Sequence, residues 1–259
     1  MKYRDFVTLM EEIAPTQLYR EIDNSGPQIC SGADEVSRVL VCLEINQDVL
    51  HEAVGRNADL ILTHHPLIFT PETVIDYNDY PGRYIHDAIK LGISVYSAHL
   101  SFDFAEKGNN AYLAELLGLV NVAAGSLEKA WTGDLPEAMD FSQACRHVET
   151  ALDLPQHYIR CVDGGREQIR KVGLCTGAGG NYIPGAVKNG CDLFITGDLK
   201  LHEAQYAKAA GMSVIDAGHY GTEKIFVENI AHQIYARSAE KGLDIDVIMA
   251  EANTNPYTL

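Results

Sequence analysis

Two adjacent histidines, His64 and His65, follow the run Asp59-Leu-Ile-Leu-Thr63 and are closed off by Pro66. The run is of strand length and proline lacks the N–H a ladder needs, so both imidazoles stand where a strand ends. In open α/β sheets that carboxyl end is where ligands collect. A lone His-His pair would serve equally well as a turn cap with a solvated neighbour. Two further arms change the balance: His99-Leu-Ser-Phe-Asp103 and His219-Tyr-Gly-Thr-Glu223 each place an imidazole four residues before a carboxylate, a spacing that aims both groups at one point in a helical turn. Four imidazoles and two carboxylates exceed the needs of one zinc ion and suit two adjacent divalent ions bridged by a carboxylate. Such a pair of ions binds and deprotonates a water between them and stabilises the oxyanion formed when the hydroxide attacks. Mixed nitrogen and oxygen ligation is compatible with Zn, Fe, Mn, Co or Ni alike.

The elements around these residues read as α/β. Apolar residues at helical spacing predict a helix over Tyr3–Ile13, and Asp23-Asn-Ser-Gly-Pro27 reads as a loop. A strand over 36–43, a helix over 47–56 and the strand Leu60–Thr63 form a βαβ unit. A helix over 84–90 and a strand over Ser94–Ser97 lead to His99, and a helix over 110–117 follows Asp103. From 123 to 140 small, polar and turn residues surround the only tryptophan, Trp131, as at a boundary. Beyond it come a helix over 141–152, a strand over 158–162 and a hairpin-type turn at Asp163-Gly-Gly-Arg166. A helix over 224–241 and a strand over 244–249 close the pattern.

The second half replays the first. A shift of 133 residues carries Val39, Cys42, Ala53, Asp59, Leu60 and Thr63 onto Val172, Cys175, Ala186, Asp192, Leu193 and Thr196; a shift of 119 carries Gly92, Ser94, Val95 and Ala98 onto Gly211, Ser213, Val214 and Ala217. Identities at equivalent strand and helix positions imply an internal duplication. The expected division is a first α/β domain over 1–125, completed by 219–259, and a second over 126–218. Where the first copy has His64-His65, the second has Gly197-Asp198. The metal site is then expected in the cleft between the two copies. His202, four residues past Asp198, pairs with it as the one candidate acid/base, although a helix-start histidine on a solvated face has the same signature. Gly177-Ala-Gly-Gly180 reads as a tight turn, with an anion cradle as the alternative.

Acidic residues outnumber basic ones 36 to 20, a net charge of −16. That disfavours nucleic acid and anionic membrane as partners, which call for clustered Lys and Arg. Cys30, Cys42, Cys145, Cys161, Cys175 and Cys191 include no CxxC pair, and Cys42 and Cys175 lie in apolar strand patterns, so reduced, cytosolic thiols fit best. No apolar run approaches the ~20 residues of a membrane span and the first residues lack a signal-like apolar stretch, so a cytoplasmic location is expected.

Together, Asp23-Asn-Ser-Gly26, Thr63-His64-His65-Pro66, His99-x3-Asp103, Thr196-Gly197-Asp198 and Gly218-His219-x3-Glu223 make a chain that resembles the NIF3 family, the GTP cyclohydrolase 1 type 2 homologues, in a compact form without a middle insertion domain. The resemblance implies two similar α/β domains, a two-metal site between them and hexameric rings built as trimers of dimers. Carried over by motif, His64 and Asp103 would bind one ion, His65 and His219 the other, and Glu223 would bridge, with His99 a ligand or a group that orients one. Pro27, Leu100 and Phe102 depart from the usual pattern, which bears on substrate shape rather than on metal binding. The expected activity is hydrolysis of a small polar substrate, such as a nucleotide or purine-like heterocycle, by a metal-bridging hydroxide. The alternative is a non-catalytic metal-handling or regulatory scaffold.

Overall fold

The computed structural model describes residues 1–127 and 130–257. The chain forms two units, 1–105 with 226–259, and 106–225.

The first unit opens with α1 (Tyr3–Ile13) and β1 (Gly26–Ile29). A parallel βαβ unit follows: β2 (Arg38–Cys42), α2 (Gln47–Gly55) and β3 (Leu60–Thr63). Next come α3 (Gly82–Leu91), β4 (Ser94–Ser97) and the single turn α4 (Leu100–Asp103). The second unit runs through α5 (Asn109–Leu116), β5 (Val120–Leu127), β6 (Ala130–Met139), α6 (Phe141–Ala151), β7 (Arg160–Val162), β8 (Ile169–Ala178), α7 (Ile183–Lys188), β9 (Leu193–Gly197), α8 (Leu201–Ala209), β10 (Ser213–Asp216) and α9 (His219–Glu223). The chain then returns to the first unit with α10 (Phe226–Lys241) and β11 (Asp246–Met249).

The first sheet has the order β1-β4-β3-β2-β11, with β11, β2, β3 and β4 parallel and β1 antiparallel at the edge. Alternate strand residues face opposite layers. Leu40, Cys42, Ile61 and Val95 pack with Val49, Leu50, Ile85 and Ala88 of α2 and α3; on the other side Phe6 of α1 meets Tyr96 edge-on at 5.8 Å and Phe226 of α10 meets Phe102 at 5.3 Å. β3 and β4 are buried at every position; β3 reads as the apolar run Leu60–Leu62 of a strand covered on both faces, and the buried hydroxyls of Thr63 and Ser97 pair with each other.

The second sheet has the order β5-β6-β8-β9-β10-β7, with β8, β9 and β10 parallel. One face packs on α5 and α6 through Leu113, Leu117, Ala144 and Val148. The other packs on α7 and α8 through Ile183, Ala186 and Ala207.

Several expectations need correction. Gly26 and Pro27 belong to β1 rather than to a loop, because proline is tolerated on an edge strand. The boundary expected over 123–140 is the antiparallel pair β5–β6 inside the second sheet; its residues are small and polar because β5 is an edge, with Val120 and Val122 exposed. The second unit, 106–225, holds α5 and α9 packed on β8. Asp163-Gly-Gly-Arg166 is not a hairpin turn: β7 pairs with β10, across the sheet from β8.

Candidate metal centre

In the first unit the β3 strand delivers its histidines through a turn that continues the ladder. The N–H groups of His64 and His65 donate to the Leu43 carbonyl at 3.2 and 3.1 Å. Thr63 Oγ1 donates to the His65 carbonyl at 2.8 Å and pairs with Ser97 Oγ at 2.6 Å, tying the ends of β3 and β4 together. His99 caps α4, and its N–H donates to Ser25 Oγ at 3.1 Å.

The three imidazoles are held in one manner. His64 Nδ1 donates to the Ala98 carbonyl at 2.9 Å, His65 Nδ1 to Glu44 Oε1 at 2.7 Å and His99 Nδ1 to Asp23 Oδ1 at 2.7 Å. A carbonyl or carboxylate oxygen accepts, so Nδ1 of each ring carries a proton and Nε2 is the nitrogen left to offer a lone pair to a metal. This is the tautomer in which metal-binding imidazoles are held by an outer oxygen. One nitrogen from each of the three lies within 4.8 Å of the other two. His64 is fully buried, its ring 4.8 Å from that of Phe226 and tilted 39° to it, and its Nε2 lies 3.5 Å from Asp103 Oδ1. Burial pushes the Asp23 carboxyl up, but hydrogen bonds from His99 and Ser25 and the charge of His99 outweigh it and hold the group below the usual range. Burial and the charge of Asp103 push the Tyr19 phenol up, so it is a neutral neighbour of Asp103.

In the second unit α9 starts at Gly218 and places His219 and Glu223 on one face. His219 Nδ1 donates to Asp198 Oδ2 at 2.7 Å, the same arrangement as in the first unit, and its Nε2 lies 3.0 Å from Glu223 Oε2. Glu223 is 2% exposed. Asp198 follows β9 in a left-handed conformation, φ 51°, a strained turn of the kind that gathers at functional sites.

The glycine run is explained by packing. Gly177 has φ +64°, and a Cβ there would strike Glu223 Oε1 and stand 3.4 Å from His219 Nε2. Its N–H donates to Thr222 Oγ1 at 3.0 Å and that of Gly179 to Thr196 Oγ1 at 2.8 Å. These donors are used internally, as in a tight turn. His202 is exposed in the first turn of α8. Glu44 and Asp23 were not picked out as site residues from the sequence; Glu44 lies just past β2, beside β3 in the sheet, and that strand-end position is the signal that could have found it.

Mixed sheets with parallel centres and imidazole–carboxylate clusters at their strand ends define an α/β protein equipped with candidate metal ligands. Residues 1–256 match the family model described as Duf34/NIF3 (NGG1p interacting factor 3). A Lactococcus lactis protein named GTP cyclohydrolase 1 type 2 homolog is 30% identical over 260 residues, 99% of each chain. Among solved structures, a Bacillus cereus protein related to NIF3 superposes with a TM-score of 0.92 at 23% identity, over 100% of this chain and 99% of the other. A Staphylococcus aureus hypothetical protein does so with 0.92 at 25% identity and the same coverage. The chain belongs to the Duf34/NIF3 family. Among the described residues no helix is long and apolar enough to cross a membrane.

Proposed function

We propose that this chain is a metal-dependent hydrolase of a small polar substrate, a nucleotide or purine-like heterocycle being the first class to try. The observation that carries the reading is the shared tautomer of His64, His65, His99 and His219, each donating Nδ1–H to an oxygen. Four Nε2 lone pairs with Asp103 and Glu223 fit divalent transition ions by donor chemistry. In this reading His64 and Asp103 would hold one ion and His65 and His219 a second, with Glu223 serving both and His99 as a ligand or orienting group. His219 and Glu223 alone are fewer than the four donors of a closed site. When bound, the ions would supply an acidified water and charge to stabilise a developing oxyanion. The names carried by relatives such as the Lactococcus lactis protein put GTP among the substrates to be tested.

The matching hydrogen-bond patterns of the two units support an internal duplication, and the family resemblance supports a homohexamer, which light scattering of the purified protein would report as six times the chain mass. The decisive experiment is elemental analysis. The purified protein should hold about two transition ions per chain, and replacing His65 and Glu223 together with alanine should empty it; unchanged metal content sinks the assignment. A metabolite hydrolysis screen with the metal loaded then addresses turnover.

A second reading, a metal-handling or regulatory scaffold without turnover, is favoured by one observation. Asp198, half of the candidate acid/base pair, is committed to His219 Nδ1, while His202 stands exposed on α8. Metal-loaded protein that hydrolyses nothing in the screen would select it.

A further inference from the structure

Away from the candidate metal ligands, the second unit brings two cysteines together that the sequence separates by 16 residues. Cys145 is half-buried on α6 and Cys161 is exposed on β7, with their sulfurs 3.4 Å apart. Strand β7 is the sheet's outer strand, paired on one side only, to β10. The other thiols lack this combination of access and a sulfur partner: Cys42, Cys175 and Cys191 are buried, and exposed Cys30 faces the Tyr3 hydroxyl at 3.4 Å.

We propose that Cys145 and Cys161 form a dithiol site that hydrogen peroxide oxidises to an intramolecular disulfide and a dithiol reduces again. A disulfide needs its sulfurs about 2.05 Å apart. The movement required is a little over one ångström, shared between an edge strand and a helix side chain.

The two thiols are not equivalent. The hydrogen bond with Cys145 pulls the Cys161 thiol below its ordinary range, against burial and the charges of Glu149 and Asp216. The same hydrogen bond, with burial, pushes Cys145 up. Cys161, exposed and richer in thiolate, is therefore the attacking sulfur.

In the first step Cys161 sulfur attacks one peroxide oxygen. The O–O bond breaks, the leaving oxygen departs as water after taking a proton, and Cys161 becomes a sulfenic acid. In the second step Cys145 sulfur attacks Cys161 sulfur, the S–O bond breaks, and the hydroxyl leaves as a second water with the proton from Cys145. Two thiols and one peroxide give one disulfide and two waters, the thiols losing two electrons and the peroxide gaining them. A dithiol reductant reverses the change by exchange through Cys161.

The experiment uses full-length, metal-free protein and one equivalent of hydrogen peroxide. Thiols counted after denaturation should fall from six to four, and a non-reducing digest should yield one cross-linked peptide joining the segments that contain Cys145 and Cys161. Dithiothreitol should restore all six. In Cys161→Ser the cross-link is lost, and in Cys145→Ser a sulfenic acid accumulates on Cys161, trapped by dimedone. Both variants are close to isosteric, and an unchanged melting temperature of the reduced proteins confirms that they fold. An unchanged thiol count, a disulfide between two chains, or over-oxidation of Cys161 with Cys145 left free overturns the proposal. None of these outcomes depends on the metal reading.

Discussion

Asp59 and Asp192 do the same work in the two units. Asp59 Oδ2 accepts the N–H groups of Ser37 and Arg38 at 2.7 and 2.9 Å, where β2 begins; Asp192 Oδ2 accepts those of Arg170 and Lys171 at 3.0 and 2.9 Å, within β8. The ladders match as well. Val39 pairs with Leu60 as Val172 pairs with Leu193, and Leu60 pairs with Ser94 as Leu193 pairs with Ser213. Each carboxylate thus fixes the register of the strand that follows it, and register sets which face a side chain takes. Replacing Asp59 or Asp192 with alanine leaves two strand N–H groups without their acceptor. Each variant should lose about 1–3 kcal/mol of stability, read as a lower denaturation midpoint, with metal content per folded chain unchanged. Loss of metal with stability intact would contradict this structural role.

How far the sequence discloses this architecture depends on burial. β3 and β4 were legible because both faces are covered, so that Leu60–Leu62 and Val95-Tyr96 stand as apolar cores bounded by the hydroxyl residues Thr63, Ser94 and Ser97. β1 and β5 were not, because edge strands tolerate Pro27, Gly125 and exposed valines that resemble loop. The histidines were legible for a different reason: adjacency and the H-x3-acid spacing are local signals. Their oxygen partners are not local. Glu44 lies 21 residues from His65 and Asp23 lies 76 from His99, and only the sheet order brings them together. Cys145 and Cys161 belong to the same class of hidden pairs.

The carboxylates on Nδ1 hold tautomer and ring orientation, so their removal should weaken metal binding without deleting a ligand. Glu44→Gln and Asp198→Asn keep the volume of the side chain, and an amide can present its N–H to the ring and turn the imidazole to the wrong tautomer. Affinity should fall about 10- to 100-fold in each variant, measured by competition with a chromophoric chelator. Affinities equal to the parent would remove the outer carboxylates from the metal-binding account.

Because the His202 ring is exposed on α8, its replacement separates the two functional readings. His202→Ala should leave metal stoichiometry and melting temperature as they are. If hydrolysis is found and runs through the Asp198 and His202 pair, kcat should drop by about 100-fold or more, the size of a general acid/base contribution. A variant as active as the parent assigns proton transfer to other groups.

The most stringent constraint on the second cluster is a missing side chain. Gly177 turns through φ +64°, and a methyl group there would collide with Glu223 Oε1 while standing 3.4 Å from His219 Nε2. Alanine also pays for the left-handed backbone, about 1–2 kcal/mol. The strain alone would lower stability and nothing else. The collision adds a second effect, since Glu223 must swing away from the point it shares with His219. Gly177→Ala should therefore lose both stability and bound metal. A control at Gly190, which has φ +68° and open space around its Cβ position, should lose stability alone. If the two variants behave identically toward metal, the close approach of Gly177 serves the turn and not the placement of Glu223.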